Sequence, residues 1–119
     1  MMAAISAAEH GHAVTLLEQN EKLGKKIYIT GKGRCNVTNA GGMDAVRENV
    51  ATNPKFLYSA FSAFGSQDII TLLEEEGCAV KTERGGRVFP VSDHASDVTR
   101  ALTRRMERLG VEIRLHSKV

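Results

Sequence analysis

The residues best suited to chemistry stand in the stretch Gly31-Lys32-Gly33-Arg34-Cys35-Asn36-Val37-Thr38-Asn39. Gly31 and Gly33 permit backbone conformations and close approaches that a Cβ would block. Arg34 adds a planar, permanently charged fork, and Asn36, Thr38 and Asn39 supply hydrogen-bonding side chains. From Glu18 to Thr38 there are five Lys or Arg residues (Lys22, Lys25, Lys26, Lys32, Arg34) against two acids. Such a segment suits a ligand that carries phosphates and a polar ring edge; a solvated basic loop is the alternative. It is not a P-loop, because the GxxxxGK[ST] spacing is absent. Cys35 beside Arg34 reads either as a thiol of lowered pKa or as a structural cysteine in a tight turn.

Glu18 is the second candidate. It closes the apolar run Ala13–Glu18, which reads as a buried strand, and that run follows a short helix over Ala3–Glu9 and a turn at Gly11. In a dinucleotide-binding βαβ unit an acid closes the second strand, and its carboxylate accepts hydrogen bonds from both ribose hydroxyls of adenosine. Acids also end strands simply because they are soluble. A first strand and a GxGxxG turn, whose amides would hold a pyrophosphate at the helix N-terminus, do not occur in these residues. Arg87, after a Gly-Gly turn, could face an anion or decorate a hairpin. The four histidines show no metal-ligand spacing, no Ser-His-Asp set is evident, and no residue stands out as catalytic.

These candidates need elements to hold them. Lys25–Thr30 alternates well enough to be a second strand or an extended segment. Asn53 and Pro54 open a helix that Gly65 stops, with Leu57, Phe61 and Phe64 on one face, and Phe56, Tyr58, Phe61 and Phe64 read as core. Ser66 caps an amphipathic helix closed by Gly77. Cys78–Glu83 and Arg87–Pro90 form a hairpin, with Pro90 at a strand end or on an edge. The segment Ser92–Gly110 is the clearest helix, with Val98, Leu102, Met106 and Leu109 as its apolar stripe. Val111–Val119 is a final strand. The order predicts a mixed α/β chain.

The chain has 119 residues, a net charge of +2 and a hydrophobic fraction of 42%. That is one modest domain, too weakly basic to point to nucleic acid by charge alone. No apolar run approaches the roughly 20 residues of a membrane helix. Two lone cysteines without a leader sequence fit free thiols in a reducing cytoplasm.

The segments "AAISAAEHGHAVTLLEQNEKLGKKIYITGKGRCNVTNA" and "GGRVFPVSDHASDVTRAL" resemble the BaiN/RdsA-type NAD(P)/FAD-dependent oxidoreductases, bacterial flavoproteins also called aminoacetone-oxidase-family FAD-binding enzymes. The resemblance covers essentially the whole chain. It implies an α/β fold, an incomplete Rossmann-like FAD-binding domain of the glutathione-reductase-type flavoprotein clan, over residues 1–119. Glu18 would then bind the adenosine ribose, Lys25 and Arg34-Cys35-Asn36 would lie along the FAD, and the backbone of Val119 would pair with adenine. NAD(P)H would be the electron donor and a small molecule the substrate. Family members begin with a strand and a glycine-rich turn ahead of "MMAAISAAE", so this chain is expected to be a fragment that binds FAD weakly or not at all. An exposed sheet edge would also make it poorly soluble. The competing expectation is a stand-alone, non-enzymatic module that holds an anionic ligand through the basic loop Lys22 to Arg34.

Overall fold

A computed structural model describes all 119 residues. Helix α1 (Met2–Glu9) runs on alanines, the strongest helix formers, and buries Ala4 and Ile5. It ends where the His10 ring bonds the Ser6 carbonyl at 2.7 Å and Gly11 takes a left-handed turn at φ 83°. Strand β1 (Thr15–Leu17) follows and pairs in parallel with the last strand, β5 (Glu112–Arg114), with Leu16 opposite Ile113. Bonds from Glu112 N–H to the Val14 carbonyl and from Glu18 N–H to the Arg114 carbonyl, both 2.9 Å, extend the ladder at each end. The other edge of β1 is unpaired.

Between these strands lie α2 (Lys25–Ile29), a 3₁₀ turn (Thr30–Gly33), β2 (Thr38–Asn39), α3 (Gly42–Glu48), a second 3₁₀ turn (Pro54–Leu57) and α4 (Tyr58–Ala63). After them come α5 (Ser66–Glu75), β3 (Val80–Glu83), β4 (Arg87–Pro90) and α6 (Ala95–Arg108). Strands β2, β4 and β3 form an antiparallel sheet in that order, with Thr38 and Thr82 flanking Val88. The architecture is α/β, a parallel pair plus an antiparallel three-stranded sheet joined by helices.

The core is centred on α6. Val98, Leu102 and Met106 recur at helical spacing and are buried with Ala95 and Ala101, against Ile5 of α1 and Leu72 and Leu73 of α5. Complete burial of Ile5, Leu73 and Met106 stabilises the fold by about 1.5–3 kcal/mol each. Arginines on the flank of α6 tie it to its neighbours. Arg105 bonds Glu9 of α1 (Nε to Oε1, 3.0 Å), and it meets the buried Glu76 at the end of α5 together with Arg108.

Several local expectations change. Lys25–Ile29 is helical, not extended, because Gly24 enters the left-handed region at φ 70° and starts a turn that points Leu23 and Ile27 at the core; Ile29 is left 77% exposed. The single helix expected after Asn53 is a 3₁₀ turn followed by α4, and Asn53 precedes it at φ 50° without a side-chain bond. At α5 the cap is Gly65, whose N–H donates to Asp68 Oδ2 at 2.6 Å; Ser66 is the first helical residue. Pro90 ends β4, but β4 is the central strand and not an edge. The aromatic set does not form core: Phe56 is 78% exposed and Tyr58 56%, since α3 and α4 lie on the surface of the molecule with no buried residue. The radius of gyration, 15.0 Å, exceeds the about 13.5 Å of a compact domain of this length, as that outlying helical pair requires.

Met106→Ala should therefore lower the free energy of unfolding by about 2–5 kcal/mol, while Phe56→Ala should change it by no more than about 0.5 kcal/mol. Urea denaturation of the two variants checks both.

Candidate functional site

Glu18 stands just past the C-terminal end of β1, half-buried. Its Oε1 accepts two bonds from Asn20, from the backbone N–H at 2.8 Å and from Nδ2 at 2.6 Å, which leaves Oε2 without a partner. These bonds, helped by the charge of Lys25, hold the Glu18 carboxyl below the usual range. Lys25 Nζ donates to Asn20 Oδ1 at 3.2 Å and pairs with Glu21 at 3.0 Å, so it fixes Glu18 through Asn20 and not directly. The C-terminal tail folds over the same place: Ser117 N–H donates to the Glu18 carbonyl at 2.9 Å and His116 N–H to the Asn20 carbonyl at 3.2 Å. Val119, two residues on, is fully exposed. Glu18, Lys25 and the tail that carries Val119 are thus brought together. Beside Glu18, a mostly apolar groove of about 470 Å³ runs past Leu16, Leu17, Leu23 and Ile27 to Met1 and Met2 at the start of α1.

Arg34, Cys35 and Asn36 are held elsewhere, against the β3–β4 hairpin. Arg34 grips Glu83 with both ends of its fork (Nη1–Oε1 2.8 Å, Nη2–Oε2 3.3 Å) and reaches Asp93 Oδ1 at 3.2 Å. Its guanidinium also lies 4.0 Å from the centre of the Phe89 ring. Lys81 completes the network at Asp93 (2.7 Å) and Glu83 (3.8 Å). Bonding to Arg34 lowers the pKa of Glu83, and bonding to Lys81 and then to Arg34 lowers that of Asp93. Arg34 is therefore engaged inside the protein. Cys35 is buried in a turn at φ 60°, and burial pushes its thiol pKa up, so it is the structural cysteine and not the activated thiol. With its amide turned to place the nitrogen toward them, Asn36 donates to the carbonyls of Thr38 (3.1 Å) and Val88 (3.3 Å). Arg87 is exposed and bonds the Arg84 carbonyl across the hairpin turn.

Two further features complete the surface. Lys22, Lys25 and Lys26 line a shallow groove of about 370 Å³ with Tyr28, whose ring lies 4.2 Å from Lys22 Nζ. Lys32 and Arg34 do not join it, so the basic loop divides in two. A larger apolar groove, about 510 Å³, lies among Met43, Val46, Phe61, Phe64 and Ile69. Both cysteines are free thiols, no three His, Cys, Asp or Glu side chains are grouped to hold a metal, and no helix is long and apolar enough to cross a membrane. Sequence reasoning missed Asn20, Glu83 and Asp93. Asn20 was open to detection as an amide two residues beyond Glu18, the spacing of a local side-chain-to-backbone turn, whereas nothing in the chain order ties Arg34 to residues 49 and 59 positions away.

Comparison with known proteins gives a consistent result. The family model of the HI0933-like protein Rossmann domain matches residues 1–119. A 3-dehydro-bile acid delta(4,6)-reductase of Clostridium scindens is 39% identical over 95% of this chain, which spans 27% of that relative. Ribosomal RNA dihydrouridine synthases of Escherichia coli and Haemophilus influenzae are 32% and 29% identical over the whole chain, which spans 29% of each. The chain thus spans less than a third of the length of these relatives.

Carboxylates with lowered folded pKa values contribute stability that is fully present above their unfolded values, about 4.3 for Glu and 3.9 for Asp, and that is lost as pH falls through the lower folded values. The melting temperature should hold steady above about pH 5 and fall below about pH 4. The Glu83→Gln/Asp93→Asn double variant should fall less steeply, as read by thermal denaturation from pH 7 to pH 3.

Proposed function

Because the chain belongs to the HI0933-like Rossmann domain family, we propose that it forms the adenosine side of an FAD site in an NAD(P)H-dependent oxidoreductase. The observation that carries this reading is Glu18: a carboxylate at the C-terminal end of a parallel strand, with one oxygen fixed by Asn20 and the other free, beside a groove that reaches the start of α1. Open α/β folds bind ligands at that end of their strands. The residues fit the group. Oε2 of Glu18 can accept a ribose hydroxyl without giving up an existing bond, and a carboxylate held ionised is a good acceptor. The groove offers apolar wall for the adenosine, and the tail around Val119 brings backbone groups near Glu18.

When bound, FAD supplies the hydride and electron transfer, and the protein orients it. Lys25 holds Asn20, Asn20 holds the Glu18 carboxylate, and the Thr30–Asn36 turn offers backbone groups along the cofactor. Arg34 does not touch the cofactor in this reading, because its fork is already filled by Glu83 and Asp93. No residue of the chain is assigned a catalytic role. The relatives bear names with different substrates, a bile acid and ribosomal RNA, which fits a shared cofactor segment with substrate choice made elsewhere. A small-molecule substrate and a cytoplasmic location belong to the same proposal. A second reading, an anion-binding module without redox activity, draws on the groove of Lys22, Lys25 and Lys26.

An FAD titration of the chain followed by flavin fluorescence separates the two. Weak, saturable binding is expected, weakened roughly tenfold in Glu18→Ala, as loss of a charged hydrogen-bond acceptor implies, and little changed in Lys26→Ala. Equal affinity in wild type and Glu18→Ala would overturn the assignment of Glu18. A loss confined to Lys26→Ala would favour the anion module.

A further inference from the structure

We infer that Glu83 and Asp93 are positioning residues: with Lys81 and Phe89 they form a latch that acts through Arg34 to hold the Thr30–Asn36 turn in its present shape. The latch stands on geometry alone; that the held turn serves a cofactor rests on the function proposed above.

The turn needs holding. Gly31, Lys32, Gly33 and Cys35 all have positive φ (55°, 57°, 87° and 60°), and two of the four carry side chains that disfavour it. Past the 3₁₀ turn, Arg34 N–H reaches the Gly31 carbonyl at a long 3.3 Å and Cys35 N–H the Thr30 carbonyl at 3.1 Å, and the chain is next tied to β4 only at Val37, whose N–H donates to the Val88 carbonyl at 2.8 Å. The shape it keeps leaves the Asn36 N–H without a bond to another group of the chain. A Cβ at residue 31 would lie 2.6 Å from that nitrogen and 3.1 Å from the Phe89 ring, so glycine is needed both for φ and for the close approach. The turn therefore keeps a conformation that two of its residues disfavour and that glycine alone allows at residue 31.

Arg34 is the tether that holds it. Its two-point bond to Glu83 fixes direction as well as distance, and the Phe89 ring beneath the guanidinium removes the remaining freedom. Asp93, itself in the left-handed region at φ 59°, receives Arg34 on one oxygen and Lys81 on the other. Two cations meet two carboxylates, so the latch is neutral and stays closed without a counter-charge from a ligand. Its four charged members keep 28–41% of their side-chain surface exposed, so solvent and salt screen them. Loss of the latch should thus loosen the turn and leave the core intact.

The two buried cysteines report on this without any cofactor. Cys35 lies in the turn, whereas Cys78 belongs to the same core cluster but lies between α5 and β3, outside the turn. Thiol labelling of each cysteine, read by mass spectrometry, should show Cys35 reacting about two- to fivefold faster in Glu83→Gln and in Arg34→Lys, with Cys78 unchanged. Arg34→Lys keeps the charge and loses the fork, so its failure to rescue separates direction from mere attraction. The exchanged pair Arg34→Glu/Glu83→Arg should recover part of the protection, and 1 M salt should speed Cys35 in the wild type. Unchanged labelling of Cys35, or Cys35 and Cys78 rising together, would overturn the latch. FAD titration of Glu83→Gln runs in parallel. Release of Cys35 with no FAD binding in any variant would leave the latch standing and remove the cofactor reading. Release of Cys35 with weaker FAD binding would support both.

Discussion

The apolar stripe of α6, Val98, Leu102 and Met106, is what both sheets depend on. Ile5 of α1 packs on it, as do Leu72 and Leu73 of α5, and Ile27 of α2 covers part of the same cluster. The parallel pair β1–β5 is only three residues long on each strand, and an isolated two-stranded pair of that size has too few bonds to offset the chain entropy it fixes. It persists because α6 leads directly into β5 and α1 directly into β1, so packing of the two helices sets the register of the two strands. The antiparallel sheet is secured the same way, by Val88 and Phe89 buried on β4 ahead of α6.

That arrangement gives the two chemically loaded stretches opposite fates. Glu18 lies at the end of a strand, where backbone direction alone sends its carboxylate to the surface, and only short-range groups, Asn20 and through it Lys25, act on it. One oxygen stays free for a ligand. Arg34 sits beside the hairpin, where two acids and an aromatic ring meet it. Its charge is spent inside the fold, and the neighbouring backbone, not the guanidinium, is what remains available. The basic loop that composition presents as one feature is accordingly two: lysines that face solvent around Tyr28, and an arginine that organises a turn.

Much of this was legible in the chain. The stripe of α6, the Gly-Gly hairpin, the Pro54 start and the acid at the end of β1 follow from periodicity, turn chemistry and capping, which act over a few residues. The α/β class and the motif resemblance agree with the Rossmann-domain match. Where the reading failed, a long-range effect won. Lys25–Ile29 alternates like a strand, yet the left-handed Gly24 and the demand of the core for Leu23 and Ile27 on one side make it a helix. The aromatics after Asn53 have the composition of core, yet α3 and α4 are carried to the outside of α5, where no second layer covers them.

The sequence by itself determined the elements whose signals are local, and it marked Glu18, because an acid that closes an apolar run is visible in the run itself. It also marked Arg34, Cys35 and Asn36 as unusual, because glycines and a charged fork in nine residues have few purely structural uses. Only the tertiary structure decided what those residues do. Partners 49 and 59 positions distant meet Arg34 once β3 and β4 have folded back beside the turn, and burial raises the Cys35 pKa once the core has closed over it. The physical reason is range: propensity and capping are fixed within a turn or two of chain, whereas ion pairing and desolvation depend on which distant surfaces packing brings into contact.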